Sequence, residues 1–338
     1  MEQRPGLDPQ ELMRISMGMM APRLLAAAVQ LDLFSRIAEG RETAGDLALA
    51  ASASERGVRM LADALCALGL LGKADGRYRL TPASKAYLVK SSPDYVGAIM
   101  ESDHLWTAWG RLPEVVRTGR VAEAVEKQDV AEAFFPVLIR SLHVLNREPA
   151  RRLAAALGAG ARHSGLRVLD VAAGSGVWGI AIAEADAAAR VTAQDFPGVL
   201  ASTREFAERH GVAGRFEYMP GDLKDAAFGS GRFDVAILGN IVHSEGEASS
   251  RRLFGRLHEA LAPGGRIAIV DMLPAEDRTG PPPAVLFALN MLVNTEHGDT
   301  FTLSQYRAWL NEAGFAGVET ADIGLQAGMG VCAVIAVK

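Results

Sequence analysis

Apolar positions in the first half of the chain recur every three or four residues. Met13, Met17, Met20 and Leu24 fall at spacings of four, three and four, one stripe along a helix that meets Pro22. Methionine adapts to irregular contacts, so the stripe is plain packing surface or a surface for a partner. From about Leu24 the pattern predicts a helix ending near Gly40, then a short helix capped by Thr43 and running through Leu49. Ser54 caps a third helix, Glu55 to Leu71, which stops at Gly72. Lys73 to Leu80 then reads as two short strands around the Asp75-Gly76 turn. Three helices followed by a hairpin make a winged-helix unit. Helical spacing resumes from about Ser92 to Leu157, and Gly158-Ala159-Gly160 marks a boundary.

Beyond that boundary the pattern changes to short apolar runs alternating with helices. Strands are expected at 167–171, 190–195, 215–219, 233–238 and 266–270, with a glycine loop after the first and the turn Pro263-Gly264-Gly265 before the last. This alternation predicts an α/β fold with a parallel, doubly wound sheet. Val318–Ile323 and Val331–Val337 break the rhythm and should pair antiparallel across a glycine-rich loop.

Composition narrows the function more than the fold. At 338 residues, two domains are the natural division. The formal net charge of -5 argues against a nucleic-acid binder held by phosphates. The third helix of the winged-helix unit offers only Arg56 and Arg59 as cations, among Met60, Leu61, Leu65 and Leu68, where a DNA-reading helix needs several polar side chains. No nucleic-acid or membrane partner is expected, since no uninterrupted apolar run approaches about 18 residues. The start Met1-Glu2-Gln3-Arg4 lacks the look of a signal peptide, and Cys66 and Cys332 lie far apart in apolar surroundings. Reduced thiols and a cytoplasmic location are expected.

The chemistry concentrates in Asp170-Val171-Ala172-Ala173-Gly174-Ser175-Gly176-Val177-Trp178-Gly179. Gly174, Gly176 and Gly179 satisfy G-x-G-x-x-G, with Asp195 following the next strand. That match alone fits a nicotinamide dinucleotide as well as S-adenosylmethionine. Asp170 shifts the balance: an acid before the glycines would repel a pyrophosphate, whereas the ammonium and sulfonium of S-adenosylmethionine welcome one. Gly221-Asp222-Leu223 after the third strand supplies an acid and an apolar residue suited to an adenine.

These motifs, with Asp195-Phe196-Pro197, His243 and Leu261-Ala262-Pro263-Gly264-Gly265 in the same order, make residues 165–338 resemble the class I S-adenosylmethionine methyltransferase fold. With its winged-helix front half, the whole chain resembles the caffeate-type and bacterial small-molecule O-methyltransferase family. The resemblance implies a dimerisation domain over 1–95, a helical linker and pocket segment over 96–160, and a cofactor domain over 161–338. It implies S-adenosylmethionine as cofactor, S-adenosylhomocysteine as product, and a homodimer through the front domain. Asp170, Gly174 and Gly176 would form the loop, Asp195 would hold the ribose, and Asp222 with Leu223 would frame the adenine. Phe196, Gly221 and Asn240 complete the expected cofactor set, and no metal is expected.

His243 aligns with the family's catalytic base. A phenolic acceptor has a pKa of about 10 and should lose its proton as it attacks, which suits a histidine. The supporting acid of the family aligns with Thr300, so Asp299 or Glu296 is the candidate replacement. The acceptor should lie among Met291, Asn290, Asn294, His104, Trp106 and Phe135, apolar walls with a few polar groups that suit a small aromatic molecule. Methylation of a ring nitrogen, a family member that cyclises or decarboxylates, a nicotinamide dehydrogenase and a DNA-binding regulator remain as alternatives.

Overall fold

A computed structural model describes residues 8–101, 103–121, 128–324 and 330–338, with 128–137 described by backbone alone. The chain forms two compact units that meet in sequence at Asp103 and His104.

The first unit contains α1 (Pro9–Met17), α2 (Met20–Gln30), α3 (Leu33–Ala38), α4 (Ala44–Ala51), α5 (Glu55–Ala67), β1 (Leu71–Ala74), β2 (Arg77–Leu80), α6 (Pro82–Tyr87) and α7 (Ala98–Glu101). The expected caps are present: Thr43 Oγ1 accepts the Asp46 N–H at 3.1 Å, and Ser54 Oγ accepts that of Gly57 at 3.1 Å. Asp75 and Gly76 are both left-handed (φ 49° and 75°), as a two-residue hairpin turn requires. One boundary differs from expectation. α5 ends at Ala67 because the chain turns left-handed at Gly69, and Leu71 opens the hairpin instead of closing the helix. Pro22 falls in the first turn of α2, where its missing N–H interrupts nothing. Leu33, Phe34, Leu47, Leu65 and Tyr78 fill this unit's core.

A second difference concerns the first two helices. Taken together, Pro9–Gln30 is long and apolar enough to cross a membrane by length and composition, which the reading of the sequence does not anticipate. Leu12, Met13, Ile15, Met17, Met19 and Met20 are all exposed.

The second unit begins with α8 (His104–Gly110), α9 (Leu112–Thr118) and α10 (Gln128–Ala156), and then alternates. In order come β3 (Arg167–Val171), α11 (Val177–Ala185), β4 (Arg190–Asp195), α12 (Pro197–Arg209), β5 (Phe216–Pro220), β6 (Phe233–Gly239), α13 (Val242–Ala260), β7 (Leu261–Met272), α14 (Pro282–Asn294), α15 (Leu303–Glu312), β8 (Ala316–Ala321) and β9 (Val331–Val337). Among the described residues the sheet has seven strands in the order β5-β4-β3-β6-β7-β9-β8. β3 to β7 run parallel, and β9 lies antiparallel to both β7 and β8. The sheet is buried on both faces, which is why its strands read as apolar runs. The strand order reverses between β3 and β6, and ligands of open α/β sheets sit at the carboxyl ends of strands flanking such a point.

Candidate active site

The glycine loop leaves β3 at its carboxyl end and enters α11. Ala172, Gly174 and Gly176 are left-handed (φ 50°, 57° and 71°), so the loop doubles back sharply. A side chain at Gly179 would meet Val191 Cγ1 at 2.7 Å and Asp170 Oδ2 at 2.9 Å, so α11 packs flush against the sheet only with glycine there.

Two carboxylates shape this loop. Asp170 is fully buried; its Oδ2 accepts the Gly179 N–H at 2.9 Å, while its Oδ1 is buried with no partner. Burial, with the nearby Asp195 charge adding to it, pushes the Asp170 carboxyl up to about 7. It stands near the end of β3 and braces the first turn of α11 through Gly179. Asp195 ends β4, 9% exposed, and accepts the Gly174 N–H at 2.9 Å through Oδ2 and its neighbour Phe196 N–H at 2.7 Å through Oδ1. Burial pushes its carboxyl up to about 6, against the pull of those two N–H groups. Gln194 Nε2 donates to the Gly221 carbonyl at 2.7 Å, holding the Gly221-Asp222-Leu223 turn beside the loop. Asp222 Oδ1 caps that turn by accepting the Lys224 N–H, and Leu223 is 8% exposed. Asn240 follows β6 in a left-handed conformation (φ 60°), its N–H bonded to the Val270 carbonyl.

These features fit S-adenosylmethionine. The loop presents glycine backbone at a sheet's switch point, an acid stands at the next strand end, a buried carboxylate oxygen is orphaned beneath, and an apolar residue stands by the third strand.

The histidine lies one strand over. His243 opens α13, 7% exposed, and its Nδ1 is 2.7 Å from Asp271 Oδ1. Asp271 stands at the carboxyl-terminal part of β7, 1% exposed, and takes three more donors: the His243 N–H at 3.0 Å, the Met272 N–H at 2.8 Å and the Tyr306 hydroxyl at 3.0 Å. Tyr306 is itself fully buried, and both burial and the Asp271 charge raise its phenol well above its ordinary range. A carboxylate at Nδ1 fixes the imidazole's orientation and leaves Nε2 for chemistry. Among the described residues none bonds that Nε2. The Phe287 ring meets His243 edge-on, 4.9 Å between centroids.

The carboxylate set against the His243 ring is that of Asp271, not that of Asp299 or Glu296. The Asp299 carboxylate pairs with Arg278 at 3.2 and 3.1 Å, and only its backbone N–H reaches the histidine, at the His243 carbonyl. Glu296 is exposed. Gly246 (φ 72°) breaks α13 just after the histidine, and a side chain there would meet the His297 carbonyl at 2.6 Å. Asp271 and Phe287 are the two contacts of His243 that the sequence does not single out.

Several expected acceptor residues converge between α8 and α14. His104 Nε2 lies 3.0 Å from Asn294 Oδ1, and Trp109 Nε1 donates to Asn290 Oδ1 at 3.0 Å. Met291 is 5% exposed, with its sulfur 3.9 Å from Ser244 Oγ. Trp106 is half-buried on α8. The Phe135 side chain lies outside the described residues.

Known proteins bear on this arrangement. Residues 154–316 match the O-methyltransferase domain family, and residues 13–90 match the O-methyltransferase dimerisation domain. The chain is 31% identical over 336 residues to 3-hydroxy-5-methyl-1-naphthoate 3-O-methyltransferase of Streptomyces sahachiroi, covering 96% of this chain and 94% of that one. It is likewise 31% identical to the tetracenomycin polyketide synthesis 8-O-methyl transferase of Streptomyces glaucescens, covering 93% and 94%. An O-methyltransferase family protein from Burkholderia thailandensis superposes with a TM-score of 0.84 at 26% identity, over 99% of each chain. Human N-acetylserotonin methyltransferase in complex with S-adenosylmethionine shares the fold, with a TM-score of 0.84 at 24% identity over 100% of this chain and 99% of that one. A parallel sheet with a glycine loop at its switch point, a dimerisation domain ahead of it and full-length relatives of one kind agree: the chain belongs to the S-adenosylmethionine-dependent O-methyltransferase family.

Proposed function

We propose that the enzyme methylates a hydroxyl of a small aromatic acceptor and that His243 takes the hydroxyl's proton. The observation that carries this reading is the 2.7 Å contact between His243 Nδ1 and Asp271 Oδ1. Bound S-adenosylmethionine supplies a methyl group on a positively charged sulfur, so the donor needs no activation by acid or metal. The chain's work is to align the acceptor and remove its proton. Asp271 keeps the proton of the neutral imidazole on Nδ1, which leaves the Nε2 lone pair as base, and it stabilises the imidazolium that forms. Gly174 and Gly176 would let the backbone approach the cofactor, Asp195 would accept from its ribose hydroxyls, and Asp222 and Leu223 would border its adenine. Phe196, Gly221 and Asn240 would complete that wall. Asp170 acts from beneath, by holding the Gly179 N–H.

An aromatic acceptor is supported by the relatives that act on a naphthoate and a tetracenomycin polyketide, and by the Phe287 edge over His243. The His104–Asn294 and Trp109–Asn290 pairs offer polar groups to orient it, with Met291 as an apolar floor. Two copies pair through the front unit, whose exposed Met13, Met17 and Met20 lie in the matched dimerisation domain. The cytosol is the proposed compartment, in keeping with the free thiols of Cys66 and Cys332.

Turnover of labelled S-adenosylmethionine against phenols, aromatic hydroxy acids and heterocyclic amines tests this directly. Replacing His243→Ala should slow methylation of the best hydroxyl acceptor by roughly 100-fold or more. An unchanged rate would remove His243 from the mechanism, and a preference for amines would overturn the hydroxyl assignment.

A further inference from the structure

Behind the glycine loop lies a row of polar groups that the methyl transfer does not use. Ser175, between Gly174 and Gly176, is 4% exposed, and its Oγ lies 3.1 Å from Nδ1 of His143 on α10. His143 is itself 3% exposed, and its other ring nitrogen lies 3.1 Å from Nε2 of His210, which closes α12. His210 Nδ1 lies 2.7 Å from Glu184 Oε1 on α11. Phe206 of α12 stacks on the His143 ring with centroids 4.0 Å apart. The row joins the loop to α10, α11 and α12.

The protons in this row have one consistent arrangement while His210 is neutral. Burial first, then the neighbouring His210, Arg147 and Arg209, pushes His143 down to about 3, so this imidazole stays neutral and has one N–H for two neighbours. The Glu184 carboxylate can only accept, so His210 donates from Nδ1 and offers Nε2 as an acceptor. His143 then donates from Nε2 to His210 and accepts the Ser175 hydroxyl at Nδ1. Each ring nitrogen of His143 and His210 then has a partner, and the Ser175 hydroxyl, which would otherwise be buried without one, is held in one direction. The residue just before Ser175 is fixed as well, because Asp195 accepts the Gly174 N–H and Thr203 Oγ1 donates to the Gly174 carbonyl at 2.7 Å.

We propose that His143 is a positioning residue for the cofactor loop: through Ser175 it holds the Gly174–Gly176 segment in the shape that receives S-adenosylmethionine, and His210 with Glu184 fixes its tautomer. The proposal rests on the reading of this loop as the cofactor seat. His143 touches no reacting atom, so its loss falls on cofactor affinity and leaves the chemical step largely intact.

The test uses the full chain, with S-adenosylhomocysteine binding followed by calorimetry, and KM for S-adenosylmethionine measured alongside kcat at saturating cofactor. His143→Phe and Ser175→Ala should each weaken cofactor binding about five- to tenfold, the size of one buried hydrogen bond. Values of kcat should fall far less than affinity. The double variant should bind no worse than the weaker single, because both remove the same bond. His143→Asn, whose amide can stand in for the Nδ1 edge, should recover most of the affinity. Unchanged affinity in both single variants, losses that multiply in the double variant, or a fall in kcat at constant affinity would each overturn the proposal. Asp195→Ala separates the two levels of the argument. If it also leaves affinity untouched, the loop is not the cofactor seat; if it weakens binding while Ser175→Ala and His143→Phe do not, the positioning role alone fails.

Discussion

A carboxylate offers four lone-pair directions, and at Asp271 each receives a donor: His243 Nδ1 and the Met272 N–H at Oδ1, the His243 N–H and the Tyr306 hydroxyl at Oδ2. Such a group is held in one orientation, which suits it to orienting a base. An amide there would turn its NH2 toward a donor and disturb the imidazole tautomer. Asp271→Asn should therefore lower kcat/KM by about 10²- to 10⁴-fold, whereas Asp299→Asn, which only breaks the Arg278 pair, should change it by less than about threefold. Steady-state turnover of both variants checks the contrast, and equal losses would reinstate Asp299 as the orienting acid. His243 is legible in the sequence as a histidine just past a strand end; its partner is not, because 28 residues separate them and only the adjacency of β6 and β7 brings them together. The signal was nevertheless present. Asp271 interrupts an apolar run near the carboxyl end of a strand, as Asp170 does.

The strands read correctly wherever an apolar run is bounded by turn residues, as at Arg167–Val171, Arg190–Asp195 and Phe233–Gly239. Boundaries fail where local pattern and tertiary pairing disagree. Leu71 continues the helical spacing of α5, yet it pairs with Leu80 across the hairpin. β7 extends back to Leu261 because that residue pairs with Phe233, across a register shift that absorbs the Pro263-Gly264-Gly265 turn. Close packing at one strand end has a measurable cost of its own. A side chain at Gly239 would overlap the indole of Trp178, a 3% exposed residue on α11, and Gly239 directly precedes the left-handed Asn240. Gly239→Ala should destabilise the fold by about 1–3 kcal/mol through overpacking, seen as a lower melting temperature. An unaltered melting curve would mean that the α11–β6 contact yields freely.

Across the whole molecule, buried groups make stability depend on pH in opposite senses, Asp170 and Asp195 on one side and His143 on the other. Asp170 titrates at about 7 in the folded chain against an ordinary 3.8, so between those values the native state holds one proton more than the unfolded state. Its contribution is present at low pH and is lost as pH rises through that window, by on the order of 4 kcal/mol. His143, pushed from 6.5 to about 3, does the reverse: the unfolded chain takes up the proton first, so stability is lost as pH falls from 6.5 toward 3. Urea midpoints of cofactor-free protein resolve the two. Relative to Asp170→Asn, the wild type should weaken as pH climbs from about 4 to about 7, and a flat difference curve would show that Asp170 is ionised throughout. Assembly is testable at the same scale. Light scattering should give twice the chain mass, with Met13→Glu and Met17→Glu shifting it toward monomer, and a monomeric wild type would refute pairing through α1 and α2. The placing of Val331–Val337 between β7 and β8 has a consequence for biosynthesis. While the ribosome is still delivering those residues, the strand bearing Asp271 has one unzipped border, open to rogue pairing with other nascent polypeptides. The border beside Asp271 therefore closes only once Val331–Val337 has paired with its neighbour.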